Sequence, residues 1–492
     1  MMLASLIDHR AASDPDARAV ADSSTSLTNH EFLVRVQAAS AHLAELGIRR
    51  NDVIALRLTN RVEFVVLLFA GWRLGATITP VNPALTPVEV STQLGDSKAR
   101  LVIVEDGSPV IWGVRVLKVS ELRTDAPAVD TVPVEDESAL ALLIYTSGTT
   151  GTPKGVMLDH ANLNAMVEMG RQGLGIGAGD SCLLILPLFH VNGIVVSVLL
   201  TLVAGAHVVI ADRFSPDTFF AAIESQRPTF FSAVPTIYSM LAALPEEVRP
   251  DTSSVRFAIC GAAPASVDLL TRFENRYGFP LVEAYGLSEG TCGSATNPVD
   301  GVRKPGTVGP PFPGQEIRII DLQGNKLPAG YDGEIAIRGA NVMRGYLGRP
   351  ADTAATIVDG WLRTGDVGHL DEDGYLTLVG RSKEMIIRGG ENIYPKEIED
   401  VLTSAPGVLE AAVVGAPDET WGEVVVAFLQ PRPGYEIDLD LVRRACTRKL
   451  SGYKRPVDYR VLDALPKNAI GKLDKNSLRR LVASGGFETR YT

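Results

Sequence analysis

Tyr145-Thr-Ser-Gly-Thr-Thr-Gly-Thr-Pro-Lys-Gly155 follows directly on the apolar run Leu140-Ala-Leu-Leu-Ile144. The stretch holds three glycines, five serine and threonine hydroxyls and one lysine. A strand that empties into such a loop is suited to holding phosphate. Glycines let backbone N–H groups curl around an anion, the hydroxyls donate further bonds, and Lys154 adds charge. A Walker A loop requires Gly, four residues, then Gly-Lys-Ser/Thr. Here Pro153 precedes the lysine and Gly155 follows it, so that pattern fails.

Outward from this loop, the chain of 492 residues is long enough for at least two domains. Hydrophobic residues make up 46% and charged residues 21%, with 46 glycines and 30 prolines, a globular composition rich in turns. The net charge of −11 argues against a nucleic acid as the main partner. Cys182, Cys260, Cys292 and Cys446 lie far apart with no C-x-x-C pair, which fits a reducing compartment and offers zinc no ligand set. The opening stretch carries Asp8, Asp14 and Asp16 and no uninterrupted apolar run, so no signal peptide is expected. The longest apolar run, residues 193–209, is broken by Ser197, Thr201, Gly205 and His207 and reads as a buried helix leading into a strand. A cytoplasmic protein without integral membrane contact is expected.

Strand-length apolar runs at 53–58, 101–104, 183–186, 207–210 and 255–259 alternate with helical stretches such as 31–46 and 216–226. Ser215 reads as the N-cap of the second of these, with Pro216 at its first position. Such alternation predicts an α/β fold of layered, largely parallel sheets. Between Gly306 and Gly339 the texture shifts to short, turn-rich strands, as in a small β-subdomain. Asp371-Glu-Asp-Gly374 followed by Tyr-Leu-Thr-Leu378 reads as a hairpin. The expected organisation is a large N-terminal α/β domain over 1–380, a hinge at 381–384 and a small, mobile α+β C-terminal domain over 385–492.

Five further clusters carry chemistry. Leu186-Pro-Leu-Phe-His190 places one histidine at the end of an apolar run, a position most often held by a packed structural residue. Glu283-Ala-Tyr285-Gly286-Leu-Ser288-Glu289 sets an aromatic ring, a hydroxyl and a carboxylate close together; the ring could stack on a base and the carboxylate hold Mg²⁺, or the segment could simply start a helix. Thr364-Gly-Asp366 offers a two-oxygen acceptor suited to a ribose diol, or merely a tight turn. Arg388-Gly389-Gly390-Glu391 is a glycine turn before a helix start at Pro395. Pro466-Lys-Asn-Ala-Ile-Gly471-Lys472 leaves a lysine near the C-terminus that, taken singly, reads as solvated charge.

In this order the phosphate loop, the aromatic–carboxylate turn, Thr-Gly-Asp, Gly380-Arg381-Ser-Lys383 and the Gly-Lys end resemble the adenylate-forming superfamily, in its acyl-CoA synthetase (fatty-acid–CoA ligase) branch. The resemblance runs from Glu31 to about Arg480. It implies an ATP-dependent, AMP-forming ligase that uses Mg²⁺ and coenzyme A to make an acyl-adenylate and then a thioester. Under it, Thr146, Ser147, Gly148, Thr149, Thr150, Gly151 and Lys154 would hold the β- and γ-phosphates. Gly261, Ala262, Ala263, Tyr285 and Gly286 would enclose adenine, Ser288 would meet the α-phosphate, and Glu289 would hold the metal. Asp366 would bind the ribose, Arg381 the ribose or phosphate, and Lys472 would bridge carboxylate and α-phosphate. Lys383 would be the pivot that withdraws Lys472 and brings Gly389 and Gly390 to the pantetheine tunnel, while His190 would sit at the mouth of the acyl pocket. Two departures stand out: serine at 288, where threonine is commoner, and Glu283, where some members carry glutamine.

The resemblance also bears on the substrate. Amino-acid-activating members usually carry an aspartate where this chain has Phe189-His190. The expected acyl-pocket segments 191–198, 232–235, 260–263 and 287–294 are small and apolar, without lysine or arginine. A second buried carboxylate would be costly there, so an aliphatic or aromatic monocarboxylic acid is expected. A dicarboxylate such as malonate or oxalate, and a ligase loading a carrier protein, are the alternatives. Lys472 also resembles the acetylation site of related synthetases, which implies a protein acetyltransferase as a partner.

Overall fold

The computed structural model of the chain describes residues 2–109, 111, 113–125, 132–146, 153–263, 265–467 and 473–484. The α/β expectation is met. An eight-stranded sheet runs, from edge to edge, through Ala295–Thr296, Leu281–Tyr285, Phe257–Cys260, Phe230–Ala233, Ser181–Leu184, His207–Ile210, Arg18–Ala21 and Ser26–Thr28. Its interior pairs are parallel. Strands covered on both faces have no polar side to show, and Phe257–Cys260 and Phe230–Ala233 are buried at every position. A seven-stranded sheet runs Gly345–Tyr346, Lys154–Asp159, Leu140–Thr146, Thr77–Pro80, Val53–Arg57, Leu101–Val104 and Arg115–Lys118.

Local chemistry sets the helix boundaries. Thr28 caps the helix Asn29–Glu45 in a reciprocal box with Glu31, and Thr86 does the same with Glu89 ahead of Pro87–Ser97. Asp159 closes the strand Lys154–Asp159 and opens the helix His160–Leu174 in a box with Asn162. The helix Pro216–Gln226 forms as expected, but the Ser215 side chain makes no capping bond to it; Pro216 alone, with its preset φ, fixes that start. The run from Gly193 is a wide π-helical segment, Gly193–Leu200, that continues into Thr201–Val203 and the strand His207–Ile210. Among the described residues no helix is long and apolar enough to cross a membrane.

By contacts the chain divides into two compact units, residues 1–317 with 336–363, and residues 318–335 with 364–492. In the second unit the hairpin expected at 371–378 is present: Asp371 N–H donates to Tyr375 O at 3.0 Å, and Gly374 takes φ 81°. The same unit holds a sheet ordered Glu391–Ile393, Ile386–Arg388, Gly422–Pro431, Val408–Asp418, with Asp458–Val461 parallel to Gly422–Pro431. One face of this sheet packs Val413, Val425 and Ala427 against Ile398, Leu402, Val442 and Cys446 of the helices Pro395–Thr403 and Leu439–Lys449. The other face packs Val414, Val426 and Phe428 against Leu478 and Val482 of the helix Lys475–Ser484.

Candidate active site

The ends of the parallel strands gather the first set of residues. In the eight-stranded sheet the strands ending at Tyr285, Cys260, Ala233 and Leu184 are consecutive neighbours. The segments that follow them therefore emerge side by side at the carboxyl edge, where open α/β sheets bind ligands. Gly261, Ala262 and Ala263 leave the Phe257–Cys260 strand there, with Gly261 N–H donating to Ala233 O at 3.2 Å. Ala262 holds φ 66°, a left-handed conformation that a non-glycine residue adopts at a cost of about 1–2 kcal/mol. His190 follows the strand Ser181–Leu184 at the same edge, its ring centroid 4.5 Å from that of Phe189.

Tyr285 is buried as the last residue of its strand. Beyond it the chain makes one tight turn, Ser288–Gly290, rather than a longer helix. Gly286 is dictated by packing, since a Cβ there would fall 1.5 Å from Cys292 O. The turn is held from outside: Met343 N–H donates to Glu289 O at 2.9 Å, and Asn341 Nδ2 donates to Gly290 O at 2.7 Å. The Glu289 side chain accepts from Tyr346 Oη at 2.9 Å. Burial first, then the facing carboxylate, pushes the Tyr346 phenol above its ordinary range, so it stays a donor.

Lys154 opens the strand that pairs antiparallel with Leu140–Thr146, Thr146 facing Lys154 and Tyr145 facing Gly155. The glycine-rich segment expected to bind phosphate joins these two strands in sequence; its residues Ser147, Gly148, Thr149, Thr150 and Gly151 lie outside the described residues. Gly155 is tightly packed, with Leu143 at 3.0 Å and Tyr145 at 3.2 Å from the position of a Cβ. Lys154 Nζ lies 2.8 Å from Asp352 Oδ2 and 5.0 Å from the centroid of the Tyr346 ring. Tyr346 therefore touches both Lys154 and Glu289, which joins two clusters far apart in sequence. Neither Tyr346 nor Asp352 stood out in the sequence, because no motif carries them; only the pairing of Gly345–Tyr346 with Lys154–Asp159 brings them in.

The second unit holds another pair. Asp366 and Arg381 face each other across antiparallel strands, and Arg381 Nε lies 2.8 Å from Asp366 Oδ1. The turn before Asp366 is fixed by Thr364 Oγ1, which donates to Ile335 O at 2.8 Å and accepts from Asp366 N–H at 3.1 Å. Lys383 lies in the short turn Ser382–Glu384. Gly389 and Gly390, at φ 59° and 89°, make the two-residue hairpin turn between Ile386–Arg388 and Glu391–Ile393. A Cβ on Gly389 would meet Trp421 at 2.8 Å, and the Arg388 guanidinium covers that same indole at 5.6 Å. Lys472 lies outside the described residues; the chain that flanks it closes through a bridge of Lys467 with Leu473 and a bond from Asp474 N–H to Pro466 O at 2.8 Å.

Within the first unit, then, Tyr346 touches Lys154 on one side and Glu289 on the other, and Gly261, Ala262, Ala263, Tyr285, Ser288 and His190 share one sheet edge. Within the second, Asp366 and Arg381 are paired. Among the described residues no three His, Cys, Asp or Glu side chains form a metal cluster. A single carboxylate beside a triphosphate suits Mg²⁺, which keeps most of its waters and takes one or two carboxylates with substrate phosphates.

Comparison with known proteins gives the chain its family. The AMP-binding enzyme family model matches residues 7–347, and that of the AMP-binding enzyme C-terminal domain matches 397–472. A feruloyl-CoA synthase of Amycolatopsis sp is 37% identical, over 96% of this chain and 97% of its own. An oxalate–CoA ligase of Arabidopsis thaliana is 36% identical, over 99% of each chain. The o-succinylbenzoate CoA synthetase of Bacillus subtilis, solved with its acyl-adenylate intermediate, superimposes with TM-score 0.88 at 32% identity, covering 99% of each chain. The chain belongs to the AMP-binding enzymes, the adenylate-forming superfamily, in its acid–CoA ligase branch.

Proposed function

We propose that this ATP-dependent acid–CoA ligase activates an aliphatic or aromatic monocarboxylic acid. Its chemistry has two halves. A carboxylate oxygen bonds the α-phosphorus of ATP and the bond to pyrophosphate breaks; the thiol sulfur of CoA then bonds the acyl carbon and AMP leaves. The first half sets negative oxygen against negative phosphate, so alignment and neutralisation carry the catalysis. The observation that supports our assignment of roles is the contact of Lys154 and Glu289 with one residue, Tyr346. A cation for the β- and γ-phosphates and a carboxylate for Mg²⁺ belong on either side of a triphosphate. When bound, the metal supplies charge neutralisation between phosphate oxygens; Glu289 would hold it.

We assign Tyr285 and Gly261–Ala263 to the adenine, Ser288 to the α-phosphate, Asp366 and Arg381 to the ribose, and Lys472 to the adenylation step. Residues 381–384 would be the hinge between a 1–380 domain and a 385–492 domain, and its rotation would bring the Gly389-Gly390 turn to the thiol. The packing that forces glycine at 389 supports a surface where a side chain has no room. Lys472 would also be the residue whose acetylation by a protein acetyltransferase stops the first half. A cytoplasmic location fits the absence of a membrane-spanning helix among the described residues.

Small apolar residues in the expected acyl-pocket segments support a monocarboxylate, because Ile194, Val195, Val198, Cys260 and Ser294 are buried with no cation among them. The test is pyrophosphate release from ATP, Mg²⁺ and a panel from acetate to palmitate, with benzoates, cinnamates, malonate and oxalate, with and without CoA. One monocarboxylate should dominate and accelerate with CoA. Preference for malonate or oxalate would overturn the substrate class, and acceleration by a carrier protein but not by CoA would overturn the acceptor.

A further inference from the structure

Lys154 and Glu289 carry opposite charges and, in the reading above, opposite duties: one meets phosphate, the other the metal. An ammonium and a carboxylate free to approach would form a charge-assisted bond that occupies both. The fold prevents this. Tyr346 stands between them, its ring under Lys154 at 5.0 Å and its hydroxyl on Glu289 Oε1 at 2.9 Å. The ammonium itself is taken by Asp352 Oδ2 at 2.8 Å.

One segment provides both contacts, and it is sewn to both partners. Leu347 N–H donates to Gly155 O at 2.8 Å, next to Lys154, while Met343 N–H donates to Glu289 O at 2.9 Å. Inside the segment Thr353 Oγ1 accepts from Tyr346 N–H at 2.9 Å and donates to Arg349 O at 2.9 Å, which ties the tyrosine to the helix Pro350–Thr356 that carries Asp352. Gly345, at φ 136°, is pressed against Thr353, which a Cβ would meet at 2.6 Å. The placement of Tyr346 and Asp352 is thus set by backbone pairing and not by the two charges they hold.

We propose that Asp352 is a latch on Lys154 that competes with the triphosphate and so sets nucleotide affinity, with Tyr346 as the spacer that keeps Lys154 off Glu289. The proposal rests on the assignment of Lys154 to phosphate. The Asp352 side chain is 41% exposed and that of Lys154 is 18% exposed, so water reaches the pair chiefly from the Asp352 side. Such a pair is weak enough to yield to a polyanion and strong enough to measure, about two- to five-fold in binding.

The test is calorimetric titration of the full-length protein with the β,γ-imido analogue of ATP and Mg²⁺. Wild type is compared with Asp352→Asn, Lys154→Ala and the double variant. Asp352→Asn should bind about two- to five-fold more tightly, and the gain should vanish in the Lys154→Ala background. In turnover the same gain should appear in KM for ATP rather than in kcat. Unchanged or weaker binding by Asp352→Asn, beside weakened binding by Lys154→Ala, overturns the latch alone. Tightening that persists without Lys154 also overturns it, leaving plain repulsion between Asp352 and phosphate. Lys154→Ala with full affinity overturns the assignment of Lys154 beneath it. Tyr346→Ala removes the ring that separates Lys154 from Glu289; it should raise the Mg²⁺ needed for half-maximal analogue binding, more than Tyr346→Phe does, and an unshifted Mg²⁺ titration of Tyr346→Ala removes Tyr346 from the proposal.

Discussion

Replacing Lys475 by methionine should loosen the second unit more than any surface change. Lys475 Nζ lies 2.9 Å from Glu384 Oε2 and 2.8 Å from Glu399 Oε1, with the three side chains 14%, 25% and 14% exposed. Burial alone would lower the lysine, but the Glu399 and Glu384 carboxylates outweigh it and hold the ammonium above its ordinary range. Burial likewise pushes the Glu384 carboxyl up, and Lys475 outweighs it, so the net direction is down. Methionine keeps the length and removes the charge, leaving two buried like charges. Breaking a buried pair this way costs about 3–5 kcal/mol; the partial exposure of Glu384 puts the expectation near the lower end, about 3 kcal/mol. In the wild type the depressed Glu384 stabilises above the unfolded glutamate value, and that stability is lost as pH falls through the folded one. In the variant Arg381 and Arg479 still draw Glu384 down, but Lys475 no longer offsets its burial, so its carboxyl lies above its wild-type position and less stability is lost as it protonates. The difference between the two proteins should therefore be largest near about pH 8 and shrink towards about pH 5.

A chain of two units need not melt in one step, so the assay is local. Native-state hydrogen exchange of amides in Pro395–Thr403 and Lys475–Ser484, corrected for the pH dependence of intrinsic exchange, reports the opening of this unit. A loss of about 3 kcal/mol is roughly a hundredfold larger opening constant. A change under about threefold, or one independent of pH, would refute the reasoning.

Three further expectations follow from named contacts. Lys383→Pro, which fixes φ at the expected pivot, should leave pyrophosphate release intact and slow thioester formation; unchanged overall turnover removes the hinge from 383. Asp366→Asn keeps the turn but loses the charged acceptor, so KM for ATP should rise by about tenfold or more in steady-state assays, and an unchanged KM excludes a ribose contact. Burial pushes the thiols of Cys182 and Cys292 up to about 12, and those of Cys260 and Cys446 above their ordinary range. A thiol reagent at pH 8 should thus leave all four unlabelled until the chain is unfolded, as read by intact mass; rapid labelling of any one in the native protein contradicts its placement.

What was legible in the sequence was what local pattern dictates. Alternating apolar runs located the strands around Val53, Leu101, Ser181 and Phe257, and Pro216 marked a helix start that the structure keeps. Where chemistry depended on a partner far along the chain, the residues were silent. Ser215 looked like a cap, yet its side chain makes no such bond. Tyr346 and Asp352 gave no signal because their positions come from an antiparallel pairing with the strand that bears Lys154. Lys475 belongs to none of the motifs, and only the packing of its helix on the sheet turns it inward. A motif names the groups that touch substrate; the groups that hold those groups are chosen by the fold.

The most direct test of the division of labour between the two halves is Lys472→Ala, assayed in both. From free acid and ATP, pyrophosphate release should fall by at least about a hundredfold, because the charge we assign to bridging carboxylate and α-phosphate is gone. From a supplied acyl-adenylate and CoA, thioester formation should proceed at close to the wild-type rate. Equal loss of both half-reactions would contradict the assignment of Lys472 to adenylation alone.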